Sequence, residues 1–156
     1  MILSWSASSF CFYIIGFYIK YIPGNMFINV IIMCVADAIS SIFAGIIASS
    51  IGTRKTMFYS YGLAAVAGVL LTVFDKNPLA IMIFMLITKF GINCAFTLCY
   101  LINAEYFPAM VCSRIFGICN IFSRISTILS PLIAEVDPPV PMMTYVLVCT
   151  ISMVAS

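Results

Sequence analysis

The stretch that decides the fold is MFINVIIMCVADAISSIFAGIIASSIGTRK, residues 26–55. Its first part, Met26–Ser49, is 24 residues long and carries one charged side chain, Asp37. Because a helix rises about 1.5 Å per residue, a run of this length can cross the roughly 30 Å hydrocarbon core of a bilayer. Gly52 then permits a tight turn, and two basic residues follow where such a helix would leave the membrane. The stretch predicts a membrane-spanning helix that ends in a short basic loop.

The same pattern repeats along the whole 156-residue sequence. Long apolar runs occupy Met1–Ile19, Met26–Ser49, Met57–Phe74, Leu79–Ile102, Ile115–Ala134 and Met142–Ser156. The first five reach or nearly reach the length of a span, and the sixth stops short with the sequence at Ser156. Apolar residues make up 64% of the chain and charged residues 8%, against about 25% charged residues in a soluble domain. We predict an all-α membrane protein, residues 1–156 forming a single domain of six transmembrane helices with the last span truncated.

Residue types that carry enzyme or metal chemistry are scarce. The sequence has no histidine, and its seven cysteines are scattered mostly within the spans without a C-x-x-C pair. Such spacing argues against a zinc site or a disulfide framework and favours cysteines that pack between helices. We find no paired carboxylates within one span, no activated nucleophile and no nucleotide-binding loop. The expectation is a protein that is not an enzyme, has no cofactor or metal, and contacts lipid rather than nucleic acid.

The charged loops predict an orientation. Alternating spans place Arg54, Lys55, Glu105 and Arg114 on one face and Lys20, Asp75, Lys76, Glu135 and Asp137 on the other. The positive-inside rule assigns the first face, with three basic residues against two, to the cytosol. We expect Glu105 to pair with Arg54 or Lys55 there, so that Arg54, Lys55, Glu105 and Arg114 form a gate whose ion pairs open and close as helices move.

Three charges fall near the middle of a predicted span: Asp37, Lys89 and Arg124. Each costs on the order of 3 kcal/mol at that depth, so each is expected to face the bundle interior or a watery cavity and to have a partner. Asn93 and Asn120 lie four residues from Lys89 and Arg124, on the same helical faces. One interpretation is a buried ion pair of Asp37 with Lys89 or Arg124 that only fixes packing.

The other interpretation is a polar pathway for a solute. A single acid cannot neutralise two bases, so one positive charge remains, and a surplus positive charge at mid-depth suits an anionic group. We therefore predict a solute site formed by Arg124, Lys89, Asp37, Asn93 and Asn120.

Taken in order, these residues resemble the C-terminal half, helices seven to twelve, of a major facilitator superfamily transporter of the organic cation and organic anion group. Asp37, with Gly52-Thr53-Arg54 fifteen residues later, resembles the acid of helix eight and the Gly-Arg-Arg loop. Lys89-Phe90-Gly91, sixteen residues before Glu105, resembles the Gly-Lys-Phe of helix ten and the Ala-Glu-Leu-Tyr-Pro-Thr loop. The segments Ser123-Arg124-Ile125 and Ser130-Pro131 resemble helix eleven.

The resemblance implies half of a twelve-helix fold, a missing N-terminal six-helix half, and secondary transport of a small organic solute across the plasma membrane. Members that carry anions tend to have arginine at the Arg124 position, so an organic anion is expected. The chain departs from the family at Thr53, Ala109, Cys112 and Ser126, which bears on the cytosolic gate more than on the fold. The alternative is a structural or regulatory membrane subunit, or an inactive truncated product.

The predicted orientation can be checked by thiol labelling. In a cysteine-free background, single cysteines replacing Thr53 and Ala109 should react with an impermeant thiol reagent from the cytosolic side, and cysteines replacing Asn25 and Asn77 from the opposite side. Labelling at positions 53 and 77 from the same side would show that one of spans two to four is wrongly assigned.

Overall fold

A computed structural model describes residues 1–21, 26–74, 78–136 and 140–155. Within these ranges the chain is helical throughout and contains no β-strand. The helices are α1 (Ile2–Tyr18), followed by a 3-10 turn (Ile19–Tyr21), α2 (Met26–Ile51), α3 (Thr53–Val73), α4 (Pro78–Tyr106), α5 (Ala109–Ala134) and α6 (Val140–Ala155). The all-α prediction is confirmed. Asn25, Asp75, Lys76, Asn77 and Asp137 lie outside the described ranges.

The six helices differ in length. The described residues contain four helices long and apolar enough to cross a membrane, α2 to α5, whereas α1 and α6 have 17 and 16 residues. Two helices begin a turn or more before the predicted apolar runs, α3 at Thr53 rather than Met57 and α5 at Ala109 rather than Ile115. The physical reason is that hydropathy marks only the apolar part of a helix, whereas lysine and arginine continue it readily into the polar region. Arg114 therefore lies within α5, and only Phe107 and Pro108 separate α4 from α5.

A single residue, Gly52, connects α2 to α3. Its φ of 97° lies in the left-handed region that glycine tolerates best, which allows the chain to reverse at one position. The Gly52 N–H donates to the Ala48 carbonyl (3.0 Å), and the Gly52 carbonyl accepts from the Thr56 N–H (3.1 Å) and hydroxyl (2.9 Å). Both polar groups of the turn are thereby satisfied. We call this side of the bundle, which also holds the α4–α5 connection, the Gly52 end.

The helices are covered unequally. α3 packs against α4 and α6, α1 packs against α5, α4 and α6, and α2 packs mainly against α4. In the most apolar window of each helix, half of the residues of α3 and α4 are buried, against 17% in α2 and α5. Large apolar side chains cover the exposed sides of α2 and α5, among them Phe27, Ile31, Ile42, Ile121, Ile128 and Leu132. Two helices of the bundle therefore present one side to surroundings outside the chain.

Small residues set the closest helix contacts. On α3, Ser60, Ala64 and Gly68 are spaced four apart and share one face, as in the small-xxx-small pattern of membrane helices. A Cβ atom at Gly91 of α4 would lie 3.1 Å from the Ser60 carbonyl oxygen and from the Ala64 nitrogen. At Gly68 a Cβ atom would lie 3.1 Å from the ring of Tyr145 on α6. α3 can approach both neighbours closely because these positions lack side chains.

Buried hydroxyl and thiol groups tie α1 to the other helices. The Tyr61 hydroxyl donates to the Ser4 carbonyl (2.9 Å) and hydrogen-bonds with the Ser8 hydroxyl (2.5 Å), and the Ser123 hydroxyl donates to Ser9 (2.6 Å). Such interhelical bonds contribute in lipid because the unpaired groups would have no water to bind. All seven cysteines are free, and five of them are buried: Cys11, Cys94, Cys99, Cys119 and Cys149.

The close approach at Gly91 leads to a stability prediction. Gly91→Leu should lower the melting temperature of the purified protein in detergent, because the added side chain forces the backbones of α3 and α4 apart at a cost of ~1–3 kcal/mol. Gly45→Leu is the matched control, since a Cβ atom at Gly45 has open space around it. That variant should melt at the same temperature as the parent or above it, because leucine favours helix more than glycine does. Equal melting of the two variants would show that the contact at Gly91 does not limit packing.

Candidate functional site

The three mid-span charges lie at one level of the bundle. Asp37 is eleven residues from Met26, Lys89 is eleven from Pro78, and Arg124 is ten from Ala134, all counted from the end opposite the Gly52 end. At 1.5 Å per residue this is roughly 15 Å from the helix ends, close to the middle of a hydrocarbon core. The depths of the three residues along their helices are therefore consistent with the prediction that all three charges lie within the membrane.

Asp37 and Lys89 form an ion pair between α2 and α4, with 3.7 Å between Lys89 Nζ and Asp37 Oδ2. The Lys89 side chain is 6% exposed and that of Asp37 25%. Lys89 Nζ also lies 3.2 Å from the centroid of the Phe12 ring on α1 and 3.5 Å from the Phe12 carbonyl oxygen. By contrast, the buried Asp37 Oδ1 has no hydrogen-bond partner. The Lys89 ammonium group has three contacts, one with Asp37 and two with Phe12, whereas the Asp37 carboxylate is engaged through one oxygen.

A polar cluster on α2 and α4 surrounds the backbone of Asp37 and not its carboxylate. Asn93 Nδ2 donates to the Ser40 hydroxyl (2.5 Å), the Asp37 carbonyl (2.7 Å) and the Ser41 hydroxyl (3.1 Å). Ser40 and Ser41 in turn donate to the Asp37 carbonyl at 3.0 and 2.9 Å, and Thr97 donates to Ser41 at 3.4 Å. The two serines were missed in the sequence analysis, although their places three and four residues after Asp37 put them on its helical face.

Arg124 has a different environment. It is exposed on α5, and its Nη1 donates to the Tyr13 hydroxyl of α1 at 3.3 Å. No acidic group of the described residues forms an ion pair with it. Asn120, one turn away on α5, is half-buried and makes no hydrogen bond to a described side chain. The geometry thus pairs Asp37 with Lys89 and leaves Arg124 as the surplus positive charge.

Two consecutive aromatic residues of α1 join these charges. Phe12 contacts Lys89, Tyr13 contacts Arg124, and the two rings meet edge to face with centroids 5.7 Å apart. The aromatic contacts continue from Phe12 to Phe96 (5.7 Å), Tyr100 (5.1 Å) and Trp5 (4.6 Å). Sequence reasoning missed this row because aromatic residues are common in apolar spans and nothing in their spacing marks them as neighbours of charge.

In this structure Glu105 does not form the predicted ion pair with Arg54 or Lys55. Glu105 Oε2 accepts a 2.7 Å hydrogen bond from the hydroxyl of Thr53, and neither basic residue lies within 4 Å of the carboxylate. Because Thr53 begins α3 beside the end of α4, its short side chain reaches Glu105. Arg54 turns instead to Tyr106, with its guanidinium carbon 5.9 Å from the ring centroid.

The other basic residues of the predicted gate remain apart from this contact. Lys55 and Arg114 are exposed, and neither forms a hydrogen bond or ion pair with a side chain that the structure describes. Thr53, in contrast, is buried, so Lys55 is the better position for the thiol labelling of this loop. The structure brings Thr53, Glu105, Arg54 and Tyr106 together and leaves Lys55 and Arg114 outside the group.

Comparison with known proteins identifies several proteins of similar sequence. It is similar to Solute carrier family 22 member 16 of Homo sapiens, with 29% identity over 130 residues that cover 83% of this chain and 22% of the relative. It is also similar to Organic anion transporter 3 of Mus musculus, 26% identical over 145 residues that cover 89% of this chain and 27% of the relative. The chain thus spans about a quarter of the length of these relatives.

The family model described as Major Facilitator Superfamily matches residues 1–154, almost the whole sequence. Its match accords with the apolar helices and with the order of charged residues and turns along the chain. This integral membrane protein, with the six-helix arrangement of one half of the family fold, belongs to the Major Facilitator Superfamily.

Proposed function

We propose that this chain is the C-terminal six-helix half of a secondary transporter that carries a small organic anion across the plasma membrane. The observation that carries the proposal is Arg124, an exposed guanidinium at mid-span without an acidic partner among the described residues. A charge at this depth is unfavourable unless it faces water or an opposite charge. An anionic solute at this position would supply that opposite charge.

The uneven covering of the helices supports a missing N-terminal half. In transporters of this kind the solute lies near the bilayer midplane at the interface of the repeats that rock against each other. α2 and α5 are the least covered of the long helices, and both carry a mid-span charge. A second six-helix half packed against them would enclose Arg124 in a cavity, and the relatives, about four times longer than the matched region, have room for such a half.

The charge balance supports an anion over a cation. Asp37 and Lys89 neutralise each other, so the three mid-span groups sum to one positive charge. In this proposal Arg124 attracts the solute, Lys89 adds to the positive potential, Asp37 holds Lys89, and Asn93 and Asn120 supply polar groups nearby. The names of two relatives, both Organic anion transporter 3, agree with this sign.

At the Gly52 end we assign two roles. The Thr53–Glu105 hydrogen bond and the Arg54–Tyr106 contact fasten α3 to α4, which already pack against each other along their length. Lys55 and Arg114 are exposed and remain available to acidic residues of the other half. The part of the gate that forms and breaks would therefore lie between halves and depend on these two residues.

Reversing the charge of Arg124 tests the proposal. The chain is co-expressed with the N-terminal half of Solute carrier family 22 member 16, and uptake of a panel of labelled organic anions and cations is measured in intact cells. Arg124→Asp should reduce anion uptake at least tenfold while the surface amount of the protein stays near normal. Arg124→Lys should retain part of the uptake, because the charge survives although the planar donor geometry is lost.

Glu135→Arg is the matched control, since it reverses an exposed charge at the end of α5, the helix of Arg124, and leaves mid-span residues unchanged. It should transport anions at close to the parental rate. Undiminished anion uptake by Arg124→Asp would remove Arg124 from the solute site. Absence of uptake for the parental assembly as well, at normal surface amounts, would favour a structural subunit whose Asp37–Lys89 pair only holds helices together.

A further inference from the structure

We propose that Met33, Met82 and Met85 form, together with Asn29, a binding site for a soft monovalent metal ion of the copper(I) type between α2 and α4. The site lies apart from Arg124 and does not depend on the proposed anion transport. Histidine, cysteine and carboxylate are the ligands on which the expectation of no metal was based, whereas this site uses thioether sulfur.

The first observation is a small cavity in the interface of α2 and α4. Its volume is about 10 Å³, and its walls include Asn29 and Met33 of α2 and Met82 and Met85 of α4. A cavity of this size has room for about one water molecule or one ion. Met85 and Met33 are 0% and 6% exposed, and Met82 is half-buried. Three methionines of two helices thus meet at a space that matches a single ion.

The second observation is the side chain of Asn29. It is 7% exposed, and its Nδ2 has no hydrogen-bond partner among the residues that the structure describes. A buried amide group without a partner is unfavourable. The nitrogen and oxygen of the amide exchange places when the group flips, and an oxygen is then available as a metal ligand. A cation in the cavity would therefore give the amide of Asn29 the partner that it lacks.

The four residues lie at matched depths on their helices. Asn29 and Met82 are three and four residues after the first residues of α2 and α4, and Met33 and Met85 are each seven residues after them. At 1.5 Å per residue these positions are roughly 5–10 Å from the helix ends opposite the Gly52 end. The site thus lies between the water at that end and the level of the mid-span charges.

The neutral donors select the charge and the type of the ion. Ile32 and Leu86 complete the cavity wall, so none of the residues that line it is charged. Burying a cation away from water costs more as its charge rises, which favours a monovalent ion. Thioether sulfur is a soft ligand that suits copper(I), whereas Mg²⁺ and Ca²⁺ require oxygen ligands. Asp37 and Lys89, one turn further along α2 and α4, neutralise each other and add no net charge.

Silver(I) is the probe for the test, because it has the charge and softness of copper(I) and does not oxidise in air. The chain is purified in detergent with its seven cysteines replaced by serine, so that thiols do not bind the metal. One silver ion per chain should bind, and free silver at a hundredfold excess over its dissociation constant should raise the melting temperature by about 5 °C or more. Binding should be equal at mildly acidic and mildly alkaline pH, since thioethers release no proton when they bind a metal. Zn²⁺, which prefers thiolate and imidazole ligands, should leave the melting temperature unchanged.

Met82→Leu removes one ligand with little change of volume, a substitution that packed cores tolerate. It should weaken silver binding by about tenfold or more, since even the outer-shell partners of a metal contribute that much. Met142→Leu is the matched control, because Met142 of α6 is 1% exposed and does not line the cavity. It should bind silver as the cysteine-free parent does. Equal binding by the two variants would overturn the site and leave the three methionines as residues that fill a gap between the helices.

A second measurement uses the unaltered sequence and decides the question if the cysteine-free chain does not fold. The methyl groups of the methionines are labelled with ¹³C and followed by NMR, while silver is added beyond the amount that saturates the cysteines. The signals of Met33, Met82 and Met85 should move together, and that of Met142 should stay in place. If the three signals do not move together, or if all ten methionines respond alike, the site is overturned and the proposed transport is unaffected.

Discussion

The energetic cost of charge in hydrocarbon is the constraint on which the rest of this structure depends. Each charged side chain at mid-span costs on the order of 3 kcal/mol unless it finds water or an opposite charge. Asp37 and Lys89 meet this constraint through each other, across α2 and α4. Arg124 meets it only in part, through the Tyr13 hydroxyl and through exposure on α5. At the mid-span level, the charges of α2 and α4 therefore neutralise each other, whereas the charge of Arg124 on α5 has no acidic partner among the described residues.

The packing of the bundle maintains that division. α3 lies against α4 and α6 through positions without bulky side chains, where Gly91 and Gly68 admit close backbone and ring contacts. Close packing there joins α3, α4 and α6, and α1 joins this group through the Tyr61, Ser4 and Ser8 contacts. Asp37 and Arg124 therefore lie on α2 and α5, the two long helices that the rest of the chain buries least. The closely packed helices α3, α4 and α6 support the site, and the exposed sides of α2 and α5 leave it accessible from outside the chain.

Much of the fold could be predicted from the sequence, because a bilayer requires long apolar runs and the charges between them mark the ends of spans. The level shared by Asp37, Lys89 and Arg124 also followed from position within each run. The ion-pair partner of Asp37 could not be predicted, because one mid-span acid and two mid-span bases permit two different pairs. Helix packing selects Lys89. By sequence Thr53 is only a departure from the basic loop of the family, whereas in the structure its hydroxyl donates to Glu105. Hydropathy marked only the apolar part of α5 and missed the first turns that carry Arg114, because the helix continues through both.

Phe12 and Tyr13 have a mechanical consequence. Neighbouring residues on a helix point about 100° apart, and here one ring lies against Lys89 of α4 while the next hydroxyl binds Arg124 of α5. Both contacts belong to the same rigid turn of backbone, so a rotation of α1 about its axis cannot shift one without shifting the other. Because adjacent residues of α1 contact Lys89 and Arg124, α1 is the element that connects the two basic side chains.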